Sequence, residues 1–160
     1  MIADDKLLRE LLIQTLHRSQ AHVNLIDAVK DFPPEQYGTR PKGFPYSAWQ
    51  LLEHIRIALN DLLIFSTNPK YVAPKWPDDY WPEDTAPENP SAWEASFSAI
   101  CADLEAFQTL IRNTESNLYA RIPWGDGQTL LREILLVIDH NSYHIGQLVV
   151  LRKILGNWTA

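Results

Sequence analysis

The sequence predicts an all-α protein: a four-helix bundle with long loops after its first and second helices. Three observations carry this. Apolar residues recur at spacings of three and four in four separate stretches. Capping residues, proline or glycine punctuate the ends of those stretches. No alternating apolar pattern leads into a hairpin turn anywhere in the chain. The 160 residues are enough for a full hydrophobic core, so residues 1–160 read as one domain.

The first helix is expected over residues 4–30, where Leu7, Leu8, Leu11, Leu12, Leu16, Val23, Ile26 and Val29 mark one buried stripe. Phe32-Pro33-Pro34 stops it, and Gly38, Pro41, Gly43 and Pro45 punctuate the connection. Ser47-Ala48-Trp49-Gln50 is a capping box, starting a second helix that should run to about Ser66 with Leu51, His54, Ala58, Asp61 and Leu62 inward. Thr67-Asn68-Pro69 ends it. The stretch 67–90 holds six prolines and five acidic residues, with Tyr71, Trp76, Tyr80 and Trp81; loops this long inside a domain are uncommon. Asn89-Pro90 starts a third helix with Trp93, Phe97, Ile100, Leu104, Phe107 and Ile111 on its core face. Residues 114–128 link to a fourth, capped by Thr129, carrying Leu131, Ile134, Leu135, Ile138, Ile145, Leu148 and Leu151, and stopped by Gly156.

Composition narrows the function. A net charge of −6, with no basic run interleaved with aromatics, argues against a nucleic-acid partner. Cys101 is the only cysteine, which excludes an intramolecular disulfide and any CxxC motif. The N-terminus, Met1-Ile2-Ala3-Asp4-Asp5-Lys6, lacks the apolar stretch of a signal peptide, and the longest clean apolar run, Ile134 to Ile138, is too short to cross a bilayer. A cytoplasmic protein without membrane contact is expected.

The candidate chemistry lies in three histidines. His140 and His144 stand four residues apart in a helical stretch, so both imidazoles face one side and can reach one ion; His54 lies inward on the second helix. Helices of a bundle pack about 8–10 Å apart, close enough for inward side chains to share a metal. Three neutral imidazoles leave coordination positions open, the arrangement of catalytic sites. The pair is equally the pattern of two hydrogen-bonded helix histidines. Glu-x-x-His, HExxH, GxSxG, P-loop and GxGxxG motifs are all absent.

The segments Ser47-Ala48-Trp49-Gln50-Leu51-Leu52-Glu53-His54 and Asp139-His140-Asn141-Ser142-Tyr143-His144-Ile145-Gly146-Gln147-Leu148 resemble the two signature stretches of the DinB-like superfamily, also known as the YfiT-like metal-dependent hydrolases. The resemblance extends from the first helix to Gly156. It implies a four-helix bundle with a long link after the second helix, often a homodimer. It implies a divalent metal held by His54, His140 and His144: zinc or nickel, with iron or manganese as alternatives. The activity it implies is a thiol S-transferase or a hydrolase, acting on a small-molecule thiol and an electrophile, with no catalytic side chain assigned. With one cysteine in the chain, the thiol would come from a cosubstrate. Two other readings stay open: a non-catalytic, metal-binding stress-response or interaction bundle, and a bundle whose metal only staples the fold.

Glu53, Asp139 and Asp61 are candidate acceptors for a ligand ring N–H, or else parts of a solvated face. Tyr143 and Gln147 lie near the ligands, with helix packing the simpler role for Tyr143. His17 and His22, five apart, read as surface or packing residues, and Cys101 as an inert core thiol. Trp76, Tyr80 and Trp81 either roof the metal pocket or, more simply, cover core or a dimer contact.

Overall fold

The computed structural model describes residues 3–158, and within them it is all-helical, with five α-helices and no strands. The helix expected over residues 4–30 is two helices, α1 (Ala3–His17) and α2 (Leu25–Val29). The stretch between them bonds its own backbone through side chains. Ser19 Oγ accepts the N–H of Asn24 at 3.1 Å, and Asn24 Oδ1 accepts that of Asp27 at 2.8 Å. Short polar side chains offer the backbone a partner outside the helical ladder, and here they end one helix and cap the next.

The remaining elements start where the sequence places them. α3 (Ala48–Thr67) opens on the full capping box, Ser47 accepting from the Gln50 N–H while the Gln50 side chain accepts from that of Ser47. α4 (Pro90–Arg112) is capped by Asn89, and α5 (Leu130–Leu155) by Thr129. Gly156 ends α5 at φ 73°, a left-handed conformation that a side chain would strain.

α3 packs on both α4 and α5; α1 lies against α4 and α5, and α2 against α5. Leu51, Leu52, Ile55 and Leu59 of α3 meet Ile100, Phe107 and Ile111 of α4 and Ile134, Leu148 and Leu151 of α5 in a core closed to solvent. Not every apolar residue of the expected stripes is inside: Leu7 is 56% exposed, Leu11 51% and Leu135 51%. Successive helical residues point about 100° apart, so in Leu7-Leu8 and Leu11-Leu12 only Leu8 and Leu12 turn to the core. By length and composition α5 could cross a membrane, but it is a core helix carrying buried Glu133, His144 and Arg152.

The two long loops hold each other. In the first, Tyr37 stacks on Trp93 of α4 with ring centroids 3.9 Å apart. A methyl group on Gly38 would sit 2.6 Å from Ala86 Cβ, so only glycine permits this approach of the second loop. Ser47 Oγ donates to the carbonyl of Thr85. The second loop is thereby anchored at the start of α3, two turns before His54.

Two buried arginines close helix ends. Arg9 donates to the carbonyls of Ile111 at 2.7 Å, Asn113 at 3.0 Å and Ser116 at 2.6 Å, fastening α1 to the end of α4. Arg152 donates to the carbonyls of Ala28, Lys30 and Asn157. Arg9→Met should cost about 3 kcal/mol in urea unfolding, because it strands buried carbonyls. Arg9→Lys should restore less than half, since an ammonium cannot span the three acceptors.

Candidate metal centre

His54 comes from the middle of α3, and His140 and His144 from successive turns of α5. The α3–α5 packing brings one ring nitrogen of each within 4.8 Å of the others. His140 Nε2 lies 3.1 Å from His54 Nε2. His54 and His144 are buried, and His140 is half-buried.

The outer nitrogens are already engaged. His54 Nδ1 is 2.7 Å from the carbonyl oxygen of Tyr80, and His144 Nδ1 is 2.7 Å from Gln147 Oε1. A carbonyl only accepts, so His54 carries its proton on Nδ1, and its Nε2 presents a lone pair towards His140. The same follows for His144 when the Gln147 amide oxygen faces it. This arrangement orients a metal-bound imidazole and fixes its tautomer.

The spacing also suits an ion. Two nitrogens of a tetrahedral zinc, each at about 2.0–2.1 Å, stand about 3.3 Å apart. The 3.1 Å separation of the two Nε2 atoms is close to that edge. The donor set, three imidazoles without a thiolate, suits zinc, nickel or iron, so the residues present fit a divalent ion.

Burial keeps the rings neutral. It lowers the pKa of His140 to about 4, with further lowering by the neighbouring His54. His144 is lowered to about 4 by burial and by His140. His54 is also lowered by burial, against the opposing pull of the Tyr80 carbonyl. Neutral imidazole is the ligating form, so the folded chain holds the triad ready for a cation.

The loop after α3 forms the outer wall. The Trp81 indole stacks on the His54 ring, centroids 3.8 Å apart and planes within 4°, and is itself stacked on Tyr46. Tyr80, in a single turn of 3-10 helix at Asp78–Tyr80, presents its carbonyl to His54 and its hydroxyl to Asp61. Asp61 accepts from Tyr80 at 2.7 Å and from Tyr71 at 2.8 Å. Burial and the Asp61 carboxylate push Tyr71 up to about 12 and raise Tyr80 in the same direction. Beside the histidines lies a pocket of about 210 Å³. His54, Ala58, Asp61 and Leu62 of α3 line it, with Trp76 and Tyr80 of the loop and Leu136 and His140 of α5.

Most of the chain, residues 17–148, matches the family model of the DinB superfamily. The chain belongs to the DinB superfamily. No curated protein and no solved structure matches it significantly.

The residues singled out in the sequence take different places. His54, His140 and His144 converge. Glu53 does not serve a histidine: it is buried against α4, accepting from Arg56 at 2.8 Å and from Ser96. Burial works against its charge, but the Arg56 and Ser96 hydrogen bonds prevail and its pKa is lowered. Asp139 is exposed, and Asp61 reaches the centre only through Tyr80. Tyr143 is 66% exposed with its ring against the edge of His144, not packed into the helix core. His17 and His22 are exposed and not part of the triad, the first ending α1 and the second on the segment that breaks the expected long helix. Trp81 and Tyr80 pack on the centre and do more than cover core. Sequence reasoning missed the Tyr80 carbonyl, because no residue type announces a backbone acceptor. The Gln147 role had a signal, its position three residues after His144 on the same face.

Two outcomes are expected. In metal-free protein, the unfolded chain takes up protons between about pH 6.5 and pH 4 that the folded His140 and His144 refuse. Folding stability should therefore be full above that window and fall as pH drops through it, and urea midpoints for a His140→Ala/His144→Ala variant should show a shallower fall. Tyr80→Phe removes the bond to Asp61 nearest the centre, leaving that of Tyr71, and keeps the carbonyl. It should weaken zinc affinity about tenfold in competition with a chromophoric chelator.

Proposed function

We propose that the chain is a metal-dependent DinB protein in which His54, His140 and His144 hold one divalent ion and a thiol or water is activated for S-transfer or hydrolysis. Zinc or nickel is the first choice of ion, with iron or manganese as alternatives. The observation that supports this reading is the convergence of three ring nitrogens within 4.8 Å, two of the rings having their outer nitrogens bound to acceptors. A dication on three neutral ligands would lower the pKa of a bound thiol or water towards neutrality.

The chain's own residues define what else the site does. Tyr80 and Gln147 orient His54 and His144, and Trp81 shields the His54 face from water. Cys101 is no candidate nucleophile: it lies on α4, outside the pocket, and burial pushes its thiol up and away from thiolate. A thiol nucleophile would come from a second substrate. In this reading α1, α3, α4 and α5 are the four helices of a DinB-type bundle. Exposed Leu135, Tyr143, Val150 and Ile154, on the outward face of α5, would suit a homodimer contact. The single cysteine is compatible with a cytoplasmic setting.

A non-catalytic, metal-binding role in stress response or interaction is the second reading. One observation favours it: the only ionisable pocket residues besides the histidines are Asp61 and Tyr80, which are bonded to each other. Among the described residues, no other acid or base lines the pocket.

Elemental mass spectrometry of untagged wild type should find about one divalent ion per chain, as one three-histidine site requires, and His140→Ala should lose it while keeping its helical circular dichroism. A wild type that refuses zinc and nickel would overturn the metal reading. Turnover that rises with an added low-molecular-weight thiol would select the transferase, and metal-loaded protein inert towards thiols and esters alike would select the second reading.

A further inference from the structure

The pocket beside the histidines has walls that select what can share the centre. Ala58 lies one turn beyond His54, Leu62 a second turn, and Leu136 one turn before His140. These three supply apolar surface, and the exposed Trp76 adds an aromatic ring packed at 5.2 Å on Tyr80. The volume of about 210 Å³ exceeds the roughly 150 Å³ that suffices to hold benzene in an apolar cavity. Ala58 creates much of this room, since a larger side chain there would project along the same helix face as His54.

Charge sharpens the selection. No lysine or arginine lines the pocket. The Asp61 carboxylate has two phenolic donors, Tyr71 and Tyr80, and no cationic partner among the described residues. No cationic side chain faces it across the pocket, so once a bound thiolate occupies the ion, a second anion on the reactant would meet this carboxylate with no lysine or arginine to receive it.

We propose that this pocket takes the uncharged, apolar part of the metal-bound reactant, a short alkyl chain or a single aromatic ring, and rejects reactants that carry a second negative charge. The assignment rests on the metal reading above. It deepens it by naming the substrate class: small hydrophobic thiols and their like, as opposed to polyanionic thiol cosubstrates.

Cobalt(II)-loaded protein tests this by binding alone. Visible d–d bands report the ion in the site, and a near-ultraviolet thiolate-to-cobalt band reports each thiol. Ethanethiol, propanethiol and butanethiol should tighten about fourfold per methylene. Benzyl mercaptan should bind at least as well as butanethiol, and 3-mercaptopropionate at least tenfold more weakly than propanethiol. Ala58→Phe should abolish the chain-length dependence with the visible bands unchanged. Should that variant not fold, Leu136→Gln, which keeps the size, should weaken butanethiol fivefold or more. Asp61→Asn should narrow the gap between 3-mercaptopropionate and propanethiol at least threefold. A flat alkyl series, or a series unaltered in the folded pocket variants, would overturn the apolar assignment while the cobalt bands stood. An unchanged anion gap in Asp61→Asn would overturn the charge argument. Wild type without cobalt bands would overturn the metal reading and the pocket assignment together.

Discussion

The packing of α3 against α5 is the constraint on which the site depends. It forces His54 together with His140 and His144, which lie 86 and more residues later in sequence, into one largely buried cluster. Burying a basic ring is unfavourable for its charged form, so the fold holds these rings neutral and keeps their lone pairs available. Neutral rings still need partners for their N–H groups, and a peptide carbonyl and a glutamine side chain provide two of them. Apolar packing on the other faces of α3 and α5 bears the cost of this polar inclusion. The residues that do so, Leu51, Leu52, Ile55 and Leu148 among them, are closed to solvent.

The second loop belongs to the centre as much as the helices do. Gly38 allows it to approach the first loop, Ser47 ties it to the start of α3, and Asp61 holds its tyrosine hydroxyls. With those three anchors the Tyr80 carbonyl and the Trp81 indole reach His54 from opposite parts of the ring, its edge and its face. A loop rich in proline loses less entropy on ordering than a flexible one, which suits a segment that must hold a backbone acceptor in place.

Most helix boundaries were legible in the sequence because their signals are local. Ser47 with Gln50, Asn89 before Pro90, Thr129 and Gly156 each act within four residues, and each stands where its side chain or backbone predicts. The first helix was misread because a nearly continuous apolar period outweighed Ser19 and Asn24, whose competing hydrogen bonds need the loop geometry to be seen. The triad could be read from the His140–His144 spacing only in part; His54 rested on family resemblance, since nothing in the spacing pairs α3 with α5. The acceptors were the least legible. Glu53 adjoins His54 in sequence but points to Arg56 and Ser96, whereas Tyr80 is 26 residues away and supplies the carbonyl.

The two buried arginines bear on how the molecule comes apart. Arg9 joins the first helix to the end of α4, and Arg152 joins α5 to the backbone after α2. A terminal helix usually frays on its own, at little free-energy cost. Here α1 cannot leave without baring three carbonyls at the far end of another helix, so fraying at one end of the chain is coupled to loosening near residue 113. α1 and the end of α4 thus share one set of hydrogen bonds, so that neither end is tied down without the other. The first and last of the described helices are thereby tied into the fold by buried cations, and the last of them carries two of the histidines.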